Sequence, residues 1–436
     1  MNGRRVIPRV ALVLVSAVTL TLLPAPAALA TPATPVHYPE RATMTHFSGH
    51  AFDTCSAPPL STMSKWRSSR YNGVGIYIGG PTRACSQQHL NKRWVHRATA
   101  MRYRLVPVYT GKQAPCRADA KKYLISPERA RAQGRRSAAH AVKRSARLGL
   151  LPGSALYLDI ESYPTSDSGC RRAVLRYISG WTAGLHQRGY LSGVYVSGGS
   201  GGIHLGGAHR SPAYARPDAI WVAQWDGDAT VRDMYGLASR QWSAGQRGKQ
   251  FLGPHAETHG GAAMIIDSNK FRAPVATVAR QVRVVSPVPL KGRDHPTTKS
   301  KVIDSYRPGS KVGVVCQRRG GKAAGTRVWN LLANGTYVSN GFVTTGSGFN
   351  ESLPRCTYPY QVKRTHRVNK RSGPGTGHAL VGVMYRGGLA KVVCQRRGEN
   401  IFGDPVWNKL RGGAWISDYY LATPARHGFS EPIRRC

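Results

Sequence analysis

Acidic side chains are scarce in this 436-residue chain: 20 Asp and Glu stand against 63 Lys and Arg, a formal charge of +43. CxxC pairs are absent, which argues against the commonest zinc and redox spacings. The glycine stretch Ser197–Gly202 follows an apolar run but lacks the Lys-Ser/Thr of a phosphate loop and the GxGxxG spacing. His255-Ala256-Glu257-Thr258-His259 puts its Glu at the wrong place for HExxH and sits in a glycine-rich stretch, so neither a metal nor another cofactor is expected. Long apolar runs are equally few. One, Val10 to Leu23, follows Arg4, Arg5 and Arg9 and leads to Ala28 and Ala30. It is short and wrongly flanked for a membrane span, and residues 1–30 read as an export signal cut before Thr31. Arg4-Arg5 also fits the twin-arginine route. No other transmembrane candidate is visible.

What remains is a basic, exported chain, expected outside the cell or at the cell wall. Its charge draws polyanions through long-range, salt-sensitive fields. Wall polymers bearing phosphates or carboxylates are the nearest such partners. Nucleic acid is the other candidate, but no nucleic-acid-binding motif is present. All eight cysteines lie in the mature part, an even count that favours disulfides in an exported protein. Cys316 with Cys356 and Cys394 with Cys436 enclose similar intervals and suggest one bridge in each of two small units, each worth about 4 kcal/mol by chain entropy. Cys55, Cys85, Cys116 and Cys170 would pair within the first domain, with 55–85 and 116–170 the favoured arrangement.

Between residues 47 and 273 strand-like runs alternate with amphipathic segments, which predicts an α/β fold with a parallel sheet. Strands are expected at 51–54, 74–78, 105–109, 155–161, 193–197, 219–225, 240–242 and 264–267. Helices are expected at 59–68, 88–101, 127–148 and 171–187. Eight strands in this length suit a (β/α)8 TIM barrel.

Against the shortage of acids, Tyr157-Leu158-Asp159-Ile160-Glu161 places two carboxylates two residues apart. In a strand Leu156, Leu158 and Ile160 share one face, and Tyr157, Asp159 and Glu161 the other. Asp53, Asp226 and Asp267 also fall at or near the ends of expected strands, where a barrel converges its site. A carboxylate pair can cleave a glycosidic bond if one member is protonated; Glu161, nearer the loop, is the expected acid and Asp159 its partner. An N-acetylated substrate could instead supply its own nucleophile, oriented by Asp159. Tyr77, Tyr109, Tyr195, Trp225 and Trp242 could stack on sugars or donate hydroxyls, the alternative for each being core packing.

The motifs Ala51-Phe52-Asp53-Thr54-Cys55-Ser56-Ala57-Pro58, Tyr77-Ile78-Gly79-Gly80, Pro107-Val108-Tyr109, Gln113-Ala114-Pro115-Cys116, Ala132-Gln133-Gly134, Leu158-Asp159-Ile160-Glu161 and Trp221-Val222-Ala223-Gln224-Trp225 carry a resemblance. The domain resembles the glycoside-hydrolase-like domain of unknown function family 1906, found in secreted actinobacterial proteins and distantly similar to Chalaropsis-type lysozymes. That resemblance implies a TIM barrel, a catalytic set of Asp53, Asp159 and Glu161, and Gln224, Gln241 and Asp267 as sugar-contacting or structural neighbours. The helix at 127–148 departs from it by its many arginines and lysines.

Beyond residue 273 the chain repeats itself at an offset of 78 residues: Val315-Cys316-Gln317-Arg318-Arg319-Gly320 recurs as Val393-Cys394-Gln395-Arg396-Arg397-Gly398, and Trp329-Asn330 as Trp407-Asn408. Short alternating runs and glycine turns predict small all-β units. They resemble bacterial SH3-like domains, which implies peptidoglycan binding. The expected organisation is a lead-in at 31–46, a barrel at 47–273, a linker at 274–289, and SH3-like repeats at 290–356 and 357–436. Together these readings point to hydrolysis of peptidoglycan or another wall glycan, with a non-catalytic binder of wall glycan or anionic polymer as the alternative.

Overall fold

The computed structural model describes residues 44–436 except 118–121, 244, 347, 351–352, 426 and 431–432, together with Met1 and Gly3. Those two residues aside, the expected export signal lies outside the described residues, as does the lead-in up to residue 43. Eight strands close a barrel in sequence order: β1 Thr45–Asp53, β2 Tyr71–Gly79, β3 Arg104–Thr110, β4 Ala155–Ile160, β5 Leu191–Ser197, β6 Ala219–Ala223, β7 Arg247–His259 and β8 Ala262–Val275. Between them lie α1 Leu60–Lys65, α2 Lys92–Ala100, α3 Ala130–Arg147, α4 Ser168–His186 and α5 Ile203–Ala208.

The helices form where the sequence gives them a start and a buried stripe. Asn91 caps α2 by accepting from Trp94 N at 3.0 Å, and Asp167 caps α4 by accepting from Gly169 N and Cys170 N. The helices α3 and α4 meet at small residues. A Cβ on Gly134 would stand 2.1 Å from the Tyr177 carbonyl oxygen, so glycine permits the close backbone approach.

The barrel departs from uniform β/α alternation in its last quarter. Strands β1 to β7 pair in parallel, but β8 runs antiparallel to both β7 and β1. Gly260 and Gly261, both left-handed, join β7 to β8 as a hairpin. The strand expected at Arg240–Trp242 is a turn, and β7 begins at Arg247 instead. Among the described residues no helix joins β6 to β7. Arg247 projects into that crossover and donates to the carbonyls of Val231, Arg232, Ala238, Ser239 and Gln241. A guanidinium therefore satisfies backbone that a helix would have satisfied internally.

Two six-stranded sheets follow. The first contains β9 Arg280–Arg283, β10 Leu290–Arg293, β11 Val302–Tyr306, β12 Lys311–Ala323, β13 Thr326–Leu332 and β14 Tyr337–Ser339. The second contains β15 Tyr358–Gln361, β16 Arg367–Arg371, β17 Leu380–Tyr385, β18 Leu389–Ile401, β19 Asp404–Leu410 and β20 Trp415–Ser417. The segment expected as a linker contains β9, which pairs with β12 just as β15 pairs with β18. Disulfides join Cys55–Cys85, Cys116–Cys170, Cys316–Cys356 and Cys394–Cys436.

The second sheet is built onto the barrel. One apolar cluster runs from Tyr157, Trp221, Phe271 and Ala273 inside the barrel to Tyr358, Tyr360, Val392 and Ile416. Gln361 donates to the buried Asp218 at 2.8 Å, and Arg216 donates to the Arg386 carbonyl. These contacts cover the N-terminal ends of the strands and leave the other end of the barrel for the site.

Candidate active site

At the C-terminal end of the parallel strands, Asp53, Asp159, Glu161 and Asp267 lie close enough for their charges to act on one another. Strand parity selects them: Leu156, Leu158 and Ile160 pack outward in the main core, while Tyr157 and Asp159 turn inward. Asp267 is mid-strand rather than terminal. It reaches the same level because β8 is antiparallel and pairs Asp267 directly with Asp53.

The four acids have different surroundings. Asp53 is buried and fully bonded: Tyr77 donates to Oδ2 at 2.9 Å, while Asn269 and Gln250 donate to Oδ1 at 2.7 and 3.3 Å. Burial nevertheless holds its carboxyl above the usual range against those three donors. Asp159 is buried with Oδ1 lacking a hydrogen-bond partner. Burial first, then the Glu161 charge and a hydrogen bond to the Glu161 carboxylate, push its carboxyl well above the usual range. Asp159 is therefore the carboxyl whose ionised form this site disfavours. Glu161 itself is exposed. Burial and the Asp53 charge raise Asp267 to about 7. Gly75 leaves room for this arrangement, because a Cβ there would lie 2.5 Å from Asp53 Cβ.

Two aromatic side chains rim the cleft through one glutamine. Tyr195 Oη donates to Gln250 Oε1 at 3.0 Å, and Trp225 Nε1 donates to the same oxygen at 2.9 Å. Trp225 is 63% exposed, and its ring lies over Gly253, where a Cβ would come within 2.9 Å. Tyr77 faces the cleft through its bond to Asp53.

Other expected residues lie elsewhere. Tyr109 packs outward on Trp181 and bonds His140 on α3, because β3 turns Val108 inward and Tyr109 toward the helices. Trp242 is buried, donating to the Pro217 carbonyl ahead of β6. Gln241 donates to the Gly206 carbonyl, and its own carbonyl is held by Arg247. Gln224 bonds Asp226 and the Tyr235 amide. Asp226 is ion-paired to Lys249 at 2.7 Å; despite the opposing pull of desolvation, that bond and Gln224 hold it below the usual range. These four organise the β5–β6 and β6–β7 loops.

Three residues without an assigned role in the sequence reading build the site. Gln113 is buried; its Oε1 accepts from Glu161 N at 2.9 Å and its Nε2 donates to the Asp159 carbonyl at 3.2 Å, pinning the backbone of the pair. Gln250 belongs to the misplaced seventh strand. Asn269 bridges Asp53 and Trp221 Nε1, and the period-two rule applied to Asp267 places it two residues on, on the same face.

Glu257, on the β7–β8 hairpin, binds Tyr71, His255, His259 and Arg70. Desolvation opposes these bonds, but together they lower its carboxyl to about 2. Among the described residues no group of His, Cys, Asp and Glu has metal-holding geometry.

Residues 64–271 match the family model described as Rv2525c-like, glycoside hydrolase-like domain. No curated protein matches the chain. Among solved structures, an uncharacterized B. stearothermophilus protein is 19% identical over 51% of this chain and 95% of its own, with a TM-score of 0.37. The Mycobacterium tuberculosis Tat-secreted protein Rv2525c, in complex with L-tartrate, is 14% identical over 52% and 96%, also at 0.37. A family 25 glycosyl hydrolase from Bacillus anthracis is 13% identical over 55% and 94%, at 0.32.

Proposed function

We propose that this glycoside-hydrolase-like barrel cleaves a glycosidic bond in peptidoglycan or another N-acetylated wall glycan, outside the cell. The observation that carries the reading is the pair at the end of β4: a buried Asp159, its carboxyl pushed well above the usual range, bonded to a solvent-facing Glu161. The pair shares one proton, and Glu161 is the member a sugar can reach. It delivers the proton to the leaving glycosidic oxygen as the C1–O bond breaks, and Asp159 is left ionised. The substrate's acetamido oxygen attacks C1 in the same step, because Asp53 has both oxygens engaged and is not free to attack. Asp159 then faces the positive charge of the cyclised acetamido group. Glu161 takes a proton from the water that opens it. Trp225 offers a stacking face for a flanking sugar.

The four disulfides fit an oxidising, exported setting. The two sheets act in this reading as SH3-like anchoring modules. The excess of cations adds salt-sensitive retention on anionic wall polymers.

The test is product mass and reducing-sugar release from purified walls by the disulfide-intact protein and its Glu161→Gln variant. Release by the wild type alone supports hydrolysis, and equal release by the variant removes Glu161 from the mechanism. A second reading, a wall-glycan binder without turnover, draws on the fully bonded Asp53. It is supported if neither protein releases product and both sediment with walls.

A further inference from the structure

The duplicated Val-Cys-Gln-Arg-Arg-Gly segment takes no part in the carboxylate cleft. Its glutamine is structural in both copies: Gln317 and Gln395 are buried and bond Asn330 and Asn340, and Asn408 and Asp418. Its first arginine is used differently in each copy, since Arg318 is buried and donates to Tyr358 whereas Arg396 is exposed. The second arginine has the same surroundings twice. Arg319 stands 5.8 Å from the Phe349 ring centroid, and Arg355, beside Cys356, lies 3.0 Å over it. In the second repeat Arg397 stands 5.8 Å from Phe429, and Arg435, beside Cys436, lies 3.2 Å over it. Bridges from Arg355 to Gln317 and from Arg435 to Gln395 fix each set on its sheet.

A guanidinium lying over a ring keeps its in-plane N–H groups for a planar oxyanion, which Arg binds in a bidentate fork. No described carboxylate pairs with these four arginines, and Arg355 Nη1 is buried without a partner. Burial and the neighbouring Arg411 and Arg319 charges lower the Arg355 pKa. Both phenylalanines are half-buried, so the sets stay open to solvent. We infer that each Arg–Phe–Arg set is an oxyanion site, and that the two sites engage one linear polymer carrying repeated phosphate or carboxylate groups. Two equivalent sites on one chain convert the second contact into an intramolecular one.

The test titrates the full disulfide-intact chain with poly(glycerol phosphate) and with polyglutamate of matched length, at one ionic strength. Arg319→Ala with Arg397→Ala is compared with Arg135→Ala with Arg136→Ala, a charge-matched control on the exposed side of α3. The first pair is expected to lose about tenfold or more in affinity and the control less than about twofold. Arg319→Lys with Arg397→Lys keeps the charge and loses the fork, so several-fold weakening is expected there as well. Equal losses from both alanine pairs, or none from the first, assign binding to bulk charge and overturn the sites. The stronger of the two polymers identifies the oxyanion. Glu351 and Glu431, two residues past each phenylalanine and outside the described residues, are the nearest following acids in sequence. Their change to Gln leaves binding equal or tighter if the arginines take an external oxyanion, and weaker binding overturns the inference.

Discussion

Asp418→Asn isolates a buried charge for which the chain supplies its own control. Asp418 is 2% exposed; Gln395 and Asn408 donate to Oδ1 at 3.0 and 2.8 Å, and Thr423 donates to Oδ2 at 2.8 Å. At the corresponding place the first repeat has Asn340, whose Oδ1 accepts from Gln317, Asn330 and Thr345 while Nδ2 donates to the Gly348 carbonyl. Burial pushes the Asp418 carboxyl up to about 7, overriding the Asn408 and Thr423 donors. The folded value exceeds the unfolded one, so this group's contribution is intact below about pH 4 and lost as pH rises to about 7. At 1.36 kcal/mol per pKa unit, about 3 kcal/mol disappears between pH 5 and pH 8 in the aspartate protein and is retained in the asparagine variant. Amide hydrogen exchange on peptides covering β18 to β20 reads the local opening free energy. The variant's advantage should grow by that amount from pH 5 to pH 8. A difference that does not change with pH refutes the reasoning, whatever its size. Asn340→Asp should install the same pH dependence in the first repeat.

Gln113→Ala should lower turnover about tenfold with little change in KM, because it frees the backbone of the carboxylate pair without touching sugar; an unchanged kcat would remove its positioning role. Trp225→Ala should raise KM about tenfold and leave kcat nearly intact, measured on soluble glycan fragments. Turnover should fall as pH rises through the upper ionisation of the Asp159–Glu161 pair, since the deliverable proton is then gone, and a rate that increases up to pH 9 contradicts the acid role. Arg247→Met should cost about 3 kcal/mol or more and open the 226–245 crossover to protease, because five carbonyls lose their donor; undiminished resistance would show that the loop holds without it.

Legibility in the sequence followed local periodicity. The Asp159/Glu161 spacing on an apolar strand is a statement about alternation, and the fold keeps it. Tyr109 obeys the same alternation, but on β3 it is Val108 that faces into the barrel, so Tyr109 points outward onto Trp181. The seventh strand escaped because Arg247 and Lys249 occupy its outward positions, where an apolar side chain would have signalled a crossover helix. Arg247 and Lys249 face loop carbonyls and Asp226 instead. Gln113 and Gln250 are uncharged and act through backbone and side-chain amides from other strands, so no spacing near the acids points to them.

By itself the sequence determined the outward and inward faces of β4, the scarcity of acids that makes four of them together notable, and the duplication behind residue 273. Each is set by residue order or composition alone. Tertiary structure decided that β8 runs backward and brings Asp267 to Asp53, that Asp53 is fully bonded while Asp159 is left with an unpartnered oxygen, and that the second repeat seats against the floor of the barrel. Those outcomes depend on distances between residues far apart in the chain and on the water excluded between them, which no local pattern encodes.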